Sequence, residues 1–317
     1  MVELFYLVLG LVFGGYFALA GYDYGVGILL RIVAKDETER RLTLGALGPF
    51  FLGNEVWLVA GLGLFIGAFP IAEGQVLSGL YPVLIPLMAA ILIFTAGVQV
   101  RSSAAAARPL WDLLIVICGF IIAAGWGAAL GAMLQGFPIR FGPLPVMMAA
   151  LTTALFTLHG AILLKLRGDE AIRSRADRIA RGMGASAVVL VLVAGGTAVV
   201  QSHQAASTWW IACLFALLAG VVLVANRLSR IGRDGLALVA TGIASAAPVL
   251  IVGIATLPHV YLHSDPTESI TLVDAAASAT SLDFLAIAAI PVLPVLLAFQ
   301  AVTWWIWRKA PRQPLFY

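Results

Sequence analysis

The chain has 317 residues, of which 62% are hydrophobic and only 11% are charged. Because a water-soluble domain carries about 25% charged residues, this composition excludes a soluble protein and indicates a chain surrounded by lipid. The net charge of +3 requires no nucleic-acid partner, since basic loops beside anionic lipid account for it. Cys118 and Cys213 lie in apolar stretches without CxxC spacing, so neither a disulfide framework nor a zinc site is predicted.

Nine apolar stretches follow one another along the chain, each with roughly the 20 residues that a membrane-spanning helix needs. They are Leu4–Leu30, Pro49–Phe69, Tyr81–Val100, Leu113–Leu134, Leu144–Leu166, Met183–Val200, Thr208–Asn226, Leu236–Leu257 and Phe284–Trp307. Unbroken apolar runs of this length exclude the strands of a β-barrel. The first stretch lacks the basic segment and the A-x-A site of a cleaved signal peptide, so we expect it to be retained. The sequence therefore predicts an all-α polytopic membrane protein with nine transmembrane helices.

These helices are expected to form a single integral-membrane domain with an internal repeat. GILLR at Gly27–Arg31 and AILLK at Ala161–Lys165 close spans one and five, which run in the same direction. A parallel repeat predicts two four-helix bundles, formed by helices 1–4 (about 4–134) and helices 5–8 (about 144–257). The ninth helix, near residues 284–307, would then be peripheral.

Basic residues are unevenly divided between the two sides of the membrane. Of the 19 basic residues, all but Arg140 lie in segments that follow odd-numbered spans. They are Arg31, Lys35, Arg40, Arg41, Arg101, Arg108, Lys165, Arg167, Arg173, Arg175, Arg178, Arg181, Arg227, Arg230, Arg233, Arg308, Lys309 and Arg312. The positive-inside rule then places the N-terminus outside and the C-terminus in the cytoplasm. We expect the charged segment Arg167–Gly182 to be a solvated connector, with a short surface helix as the alternative.

A few titratable side chains lie within or beside the spans. Asp23 and His159 are each about seven residues, or ~10 Å, from the cytoplasmic end of their helices, and Glu55 lies a similar distance into span two. Asp112 lies at the cytoplasmic lip of span four. Intramembrane acids are usually functional, which favours a proton-uptake path through Asp23 and Glu55 over a structural polar cluster. For His159 both interpretations stay open, because a single histidine can simply hydrogen-bond a neighbouring helix.

The histidine positions limit which cofactors the chain can hold. A membrane haem with two axial ligands needs two histidines, or a histidine and a methionine, that face each other inside the bilayer. Only His159 lies inside a span, whereas His203, His259 and His263 fall in loops predicted to be external. This distribution excludes a bis-histidine cytochrome b. Since the sequence also lacks a phosphate-binding loop and a metal-ligand cluster, we expect the chain alone to hold no haem or metal.

A series of motifs resembles one membrane-protein family. GYDYGVGILLR, TERR, GNEVWL and AFP occur in this order between residues 21 and 70, and together they resemble the N-terminal signature of subunit II of cytochrome bd-type quinol oxidases. The matching residues are Asp23, Gly25, Gly27, Gly53, Asn54, Glu55, Trp57 and Pro70. The resemblance continues through Trp111-Asp112, Leu134-Gln135-Gly136, the LHGAILLKLRG segment around His159 and the stretch Thr256–Ser278.

This resemblance implies a heterodimer in the cytoplasmic membrane that oxidises quinol and reduces oxygen to water. It implies that subunit I carries haem b, haem d and the quinol site. This chain would support subunit I and provide a path by which protons or oxygen enter. Whether a quinone is bound here and whether a small accessory subunit attaches stay open.

Two other functions are compatible with the polar residues. A proton-coupled secondary transporter would use Asp23, Glu55 and His159 as its site, but such sites more often lie at the membrane midplane on interrupted helices. A purely structural membrane subunit would use the same acids only for packing.

The sequence departs from the family signature at two places. Where the family usually has Trp-Asp before GNEVWL, this chain has Phe51 and Leu52, and the absent acid is the one implicated in proton uptake. Near the end of span three, Phe94 and Gln99 stand where the family usually has an arginine and an acid. Losing both charges together avoids an unpaired buried charge, which indicates a rearranged site in a divergent family member.

Overall fold

The structure, a computed structural model, describes residues 1–48, 51–201 and 208–306. Within these ranges, nine helical segments are long and apolar enough to cross a membrane, which confirms the predicted number of spans. The helices in chain order are α1 (Val2–Val33), α2 (Glu37–Gly45), α3 (Phe51–Ala68), α4 (Pro70–Val100), α5 (Arg108–Gln135), α6 (Pro143–Arg167), α7 (Glu170–Gln201), α8 (Thr208–Arg230), α9 (Asp234–Thr256), α10 (Leu272–Ala275), α11 (Ala279–Ala289) and α12 (Val292–Ile306). The strands β1 (His259–Tyr261) and β2 (Ile270–Thr271) pair antiparallel. The predicted features that lie outside the described residues are Pro49, His203, Trp307, Arg308, Lys309 and Arg312.

The prediction of a solvated connector at Arg167–Gly182 is wrong. Helix α6 continues to Arg167, and α7 begins at Glu170, so Gly168 and Asp169 are the only residues between the two helices. Ile172, Ala176 and Ala180 are buried at a spacing of four residues, which places them on one face of the helix. The charged stretch therefore forms the first turns of a long helix, because its apolar face packs against the protein while Arg173, Arg178 and Arg181 are exposed.

Two other predicted boundaries differ from the structure. Span three begins at Pro70 and not at Tyr81, because α4 continues through Pro82 and Pro86. Span nine is divided into α11 and α12 by Pro291, which has no backbone N–H to continue the helical hydrogen bonds. Only Leu282 of α11 and Gln300 of α12 are buried, so this span lies at the periphery of the chain.

The helix contacts follow the same pattern in the two halves of the chain. In the first half, α1 packs against α3 and α5, and α4 packs against α5. In the second half, α6 packs against α7 and α9, and α8 packs against α9. Helix α1 also contacts α6 and α9, and α5 contacts α6. This pattern agrees with the predicted parallel repeat, and the division into two separate four-helix bundles stays a prediction.

The halves meet where α1 crosses α6, at Gly25 and Gly160. A Cβ atom on Gly25 would lie 1.9 Å from the backbone oxygen of Phe156, and one on Gly160 would lie 2.4 Å from the carbonyl carbon of Gly25. No side chain fits at these distances, so the close backbone approach requires glycine at both positions.

The protein has a charged end and an opposite end. Helix α2 and the short loops 101–107, 168–169 and 231–233 share the charged end, because each lies after a helix that runs in the direction of α1. The β1–β2 hairpin lies at the opposite end, where the Phe137 N–H donates to the Leu262 carbonyl over 2.8 Å. The Phe137 ring stacks on Tyr261 with 4.7 Å between centroids.

Candidate functional site

Asp23 of α1 is buried and is held by one residue of α3. The Asn54 Nδ2 group donates to Asp23 Oδ2 over 2.8 Å and also lies 2.8 Å from the Tyr22 hydroxyl. The Asn54 Oδ1 atom accepts from Gln300 Nε2 of α12 over 3.0 Å. We call Tyr22, Asp23, Asn54 and Gln300 the Asp23 cluster. Asp23 Oδ1 is also buried, and it has no hydrogen-bond partner among the described residues.

His159 of α6 lies beside this cluster with both ring nitrogens engaged. Its Nε2 lies 2.9 Å from the Ala18 carbonyl oxygen, which can only accept, so Nε2 carries a hydrogen. Its Nδ1 lies 2.7 Å from the Thr241 hydroxyl of α9, and its ring meets the edge of Tyr22 with 5.5 Å between centroids. Because neither nitrogen faces open space, the geometry does not fit an axial haem ligand and favours the structural interpretation of His159.

Glu55 follows Asn54 but points away from Asp23. Its carboxylate accepts a short hydrogen bond from the Thr95 hydroxyl of α4, and the residue is half-buried. Within the part of the chain that the structure describes, no hydrogen bond joins Glu55 to Asp23 or to His159. The three groups predicted to share one depth therefore form two neighbouring arrangements, the Asp23 cluster beside His159 and the Glu55–Thr95 pair.

Asp112, the fourth predicted site residue, belongs to an ionic cluster at the charged end. The buried Arg101 guanidinium donates to Asp112 and, over 3.1 and 2.7 Å, to both carboxylate oxygens of Glu37. Arg40 lies 3.5 Å from Asp112, and Arg108 lies 3.4 Å from Glu37. We call these five residues the Arg101 cluster, and their geometry favours a structural role for Asp112.

Charge in this cluster controls the protonation of Glu37. Partial burial raises the pKa of Glu37, but the hydrogen bonds and positive charge of Arg101 outweigh burial and hold that pKa below the ordinary value of 4.5. Glu37 is therefore ionised at neutral pH, which keeps the cluster intact.

The family-motif residues serve close packing. A Cβ on Gly27 would lie 2.3 Å from the Phe94 ring, and Trp57 packs so tightly on α1 that a Cβ on Gly15 would lie 2.6 Å from its ring. A Cβ on Gly53 would come within 3.5 Å of Phe299 of α12, so Gly53 lies where the ninth span packs against α3.

Two positions that depart from the family signature touch each other. Phe51 and Phe94 are both buried, with 6.0 Å between their ring centroids, so an aromatic contact occupies the place of an expected arginine. Leu52 is 49% exposed on the outer face of α3, and Gln99 is also exposed. The rearrangement expected from the sequence therefore takes the form of apolar packing at 51 and 94.

Several residues of these arrangements are not predicted from the sequence. Gln300 and Gln99 carried the same signal, a glutamine in an apolar span, but only Gln300 is buried against another polar residue. Tyr22, Thr95 and Thr241 carried no signal, because hydroxyl groups are common in membrane helices. In the described ranges, no group of three histidine, cysteine, aspartate or glutamate residues is arranged to hold a metal ion.

Comparison with known proteins assigns the fold and motifs to one family. A model of the family described as cytochrome bd terminal oxidase subunit II matches residues 1–307. The "Cytochrome bd ubiquinol oxidase subunit 2" of Bacillus subtilis is 25% identical over 99% of this chain and 98% of its own length. The "Cytochrome bd-I ubiquinol oxidase subunit 2" of Escherichia coli is 27% identical over 95% and 93%.

A solved structure has the same fold. A chain of the bd oxidase from Geobacillus thermodenitrificans superposes with a TM-score of 0.79 and 19% identity, covering 95% of this chain and 97% of that one. The match of fold agrees with the match of the family model over nearly the whole sequence. The chain therefore belongs to the cytochrome bd terminal oxidase subunit II family.

Proposed function

We propose that this chain is the haem-free subunit of a membrane complex that oxidises quinol and reduces oxygen to water. Haem b, haem d and the quinol site then reside in the partner subunit I. The observation that carries the proposal is the family match over residues 1–307. The engaged ring of His159, with Ala18 and Thr241 on its two nitrogens, supports the location of the haems in the partner.

Purification of the chain with and without subunit I tests this division of cofactors. The complex is expected to show haem absorbance and quinol-dependent oxygen consumption, and the isolated chain is expected to show neither. Haem bound in equal amount to the isolated chain would contradict the proposal.

The proposed orientation places the charged end in the cytoplasm and the β1–β2 hairpin outside. It rests on the basic residues of the charged end, which anionic lipid attracts. Single cysteines introduced into Arg167–Gly182 are expected to react with a membrane-impermeant reagent only from the cytoplasmic side. Cysteines within His259–Asp283 are expected to react only from outside, and reversed labelling would contradict the orientation.

Glu55 is proposed to take part in proton uptake. Oxygen reduction consumes protons, and a half-buried carboxyl group at the cytoplasmic depth of α3 can exchange them. Since Leu52 replaces the family's acid, Glu55 is the first ionisable residue of α3. Its neighbour Asn54 hydrogen-bonds the buried Asp23, which makes Asp23 the candidate to share its proton.

Replacement of Glu55 separates proton transfer from packing. Glu55→Gln keeps the acceptor for Thr95 but cannot release a proton, so quinol oxidation is expected to fall about tenfold with normal complex yield. Glu55→Ala is expected to lower complex yield as well, because the Thr95 hydroxyl loses its partner. Glu73→Gln, at the opposite end of the membrane, is the matched control. Normal turnover in Glu55→Gln would overturn this role.

A further inference from the structure

The ninth span contacts the Asp23 cluster through one polar side chain. Most of α12 is exposed, yet Gln300 is buried and donates to Asn54 Oδ1 over 3.0 Å. Asn54 in turn donates to Asp23 Oδ2 over 2.8 Å. The two hydrogen bonds therefore form a chain in which Gln300 of α12 donates to Asn54 of α3, and Asn54 donates to Asp23 of α1.

Asn54 is surrounded by more acceptors than it can serve. Its Nδ2 group has two hydrogens, but three acceptors lie within reach: the Leu19 carbonyl at 3.2 Å, the Tyr22 hydroxyl at 2.8 Å and Asp23 Oδ2 at 2.8 Å. All three acceptors lie on α1, so they favour an Asn54 side chain with Nδ2 facing α1. The donor from Gln300 holds Oδ1 toward α12 and so locks the amide in this orientation from the opposite side.

We propose that Gln300 is a positioning residue for Asp23, acting through the side-chain amide of Asn54. The inference rests on the proposed role of the intramembrane acids in proton uptake and extends it to the ninth span. Gln300 does not exchange protons itself. It holds the amide donor that faces Asp23.

A glutamine suits both protonation states of the acid. When Asp23 is ionised, the donors run from Gln300 to Asn54 to the carboxylate, as the structure has them. When Asp23 is protonated, its O–H can donate to Asn54 Oδ1 after the amide rotates, and Asn54 Nδ2 can then donate to Gln300 Oε1. A side chain without both a donor and an acceptor would fit only one of these states or neither.

The test compares three variants of the assembled complex in membranes. Gln300→Met keeps the length and apolar contact of the side chain but removes the amide. Gln99→Met makes the same change at an exposed glutamine whose amide, among the described residues, hydrogen-bonds only the Thr95 carbonyl of its own helix. Asp23→Asn identifies the infrared stretching band of the Asp23 carboxyl group by its loss. The measurements are this band, quinol-dependent oxygen consumption and haem content.

Gln300→Met is expected to shift the Asp23 band and to lower turnover about fivefold at unchanged haem content, which corresponds to the loss of one hydrogen bond. Gln99→Met is expected to leave both unchanged. An unshifted Asp23 band in Gln300→Met would overturn the proposal, whether turnover is normal or falls in proportion to haem content. If the band shifts but Asp23→Asn retains full turnover, the positioning role stands and the proposed proton function of Asp23 fails.

Discussion

Each half of the protein buries an acid near the start of its fourth membrane-spanning helix, and the two halves neutralise that acid differently. In the first half, Asp112 at the start of α5 pairs with Arg101. In the second half, Asp234 at the start of α9 lies 3.1 Å from the Lys165 ammonium group and 3.3 Å from Arg173. Asp234 is the first residue of α9, where the helix dipole favours a negative charge, whereas Asp112 lies one turn inside α5.

The cations differ in geometry and in what supports them. The planar Arg101 guanidinium hydrogen-bonds two carboxylates at once, those of Asp112 and Glu37. Lys165 is a point charge that also contacts Asp177 at 2.7 Å and the Ser229 hydroxyl at 2.7 Å. The N–H donors of a guanidinium group point in fixed directions, so one arginine can hydrogen-bond two acids. An ammonium group has no such fixed geometry, and several partners lie around it.

The two halves also differ in the cations that would remain beside the acids if Lys165 or Arg101 were removed. Without Lys165, Asp234 would keep a hydrogen bond from Arg173 and Asp177 one from Arg181. Without Arg101, the nearest cations would be Arg40, at 3.5 Å from Asp112, and Arg108, at 3.4 Å from Glu37. In the first half one side chain, Arg101, therefore makes the hydrogen bonds to both acids, with Arg40 and Arg108 only at ion-pair distance. In the second half each acid has a hydrogen-bonded arginine besides Lys165.

Removing Arg101 is expected to have the largest effect. Arg101→Met leaves the fully buried Asp112 without its hydrogen-bonded cation, a change that typically costs about 3–5 kcal/mol. We expect a marked loss of folded protein and a lower melting temperature of the purified complex. Arg101→Lys is expected to recover only part of this loss, since an ammonium group cannot form the paired hydrogen bonds of a guanidinium group to two carboxylates. Arg31→Met, at an exposed arginine of the same end, is the control, and equal melting of Arg101→Met and Arg31→Met would contradict the prediction.

Removing Lys165 is expected to have a smaller effect. Lys165→Met leaves both acids with an arginine, so the expected cost is about 1–3 kcal/mol, which is the range for losing hydrogen bonds to a buried charge. The melting temperature of the complex, measured beside that of Arg101→Met, gives the comparison directly. If Lys165→Met destabilises the complex as much as Arg101→Met does, the contrast between the two halves is wrong.

The sequence predicts the membrane layout well, for a physical reason. Long apolar runs indicate directly which segments lie in lipid. Basic residues gather in the loops on one side of the membrane, because their transfer across the bilayer is costly. The number of spans and the charged end could therefore be derived from the positions of the apolar runs and of the basic residues along the sequence. The start of α7 could not, because its buried face, with Ile172 and Ala176, is hidden among basic residues that resemble a loop.

The candidate sites were harder to predict because their partners are distant in sequence. Glu37 and Arg101 are 64 positions apart, and Asn54 and Gln300 are 246 apart. No local pattern encodes such pairs. Asp23, Glu55 and His159 are predicted from the sequence to share a depth, but depth does not reveal the direction of a side chain, and Glu55 hydrogen-bonds Thr95 of α4 and not Asp23.

A third ion pair joins the two halves and is expected to have the smallest effect. Arg175 of α7 donates to both carboxylate oxygens of Glu39 in α2, over 2.6 and 3.0 Å, and to the Val33 carbonyl. Hydrogen bonds from Arg175 and from the Lys35 backbone N–H lower the pKa of Glu39 below its ordinary value of 4.5. An acid whose pKa is lowered by folding stabilises the folded state fully above its unfolded pKa, and this contribution is lost as the pH falls through the folded pKa.

Arg175→Ala is therefore expected to lower the melting temperature of the complex slightly at pH 7, since a pair that is only partly buried and still in contact with solvent contributes little. The difference from the unmodified protein is expected to shrink as the pH falls below 4.5, where Glu39 takes up a proton and only the bond to Val33 distinguishes the two. Melting curves measured from neutral to acid pH test this, with Arg178→Ala at an exposed position of the same helix as the control. A difference that stays constant over the whole pH range would mean that Arg175 joins the halves through the Val33 carbonyl and not through Glu39, because a backbone carbonyl does not titrate.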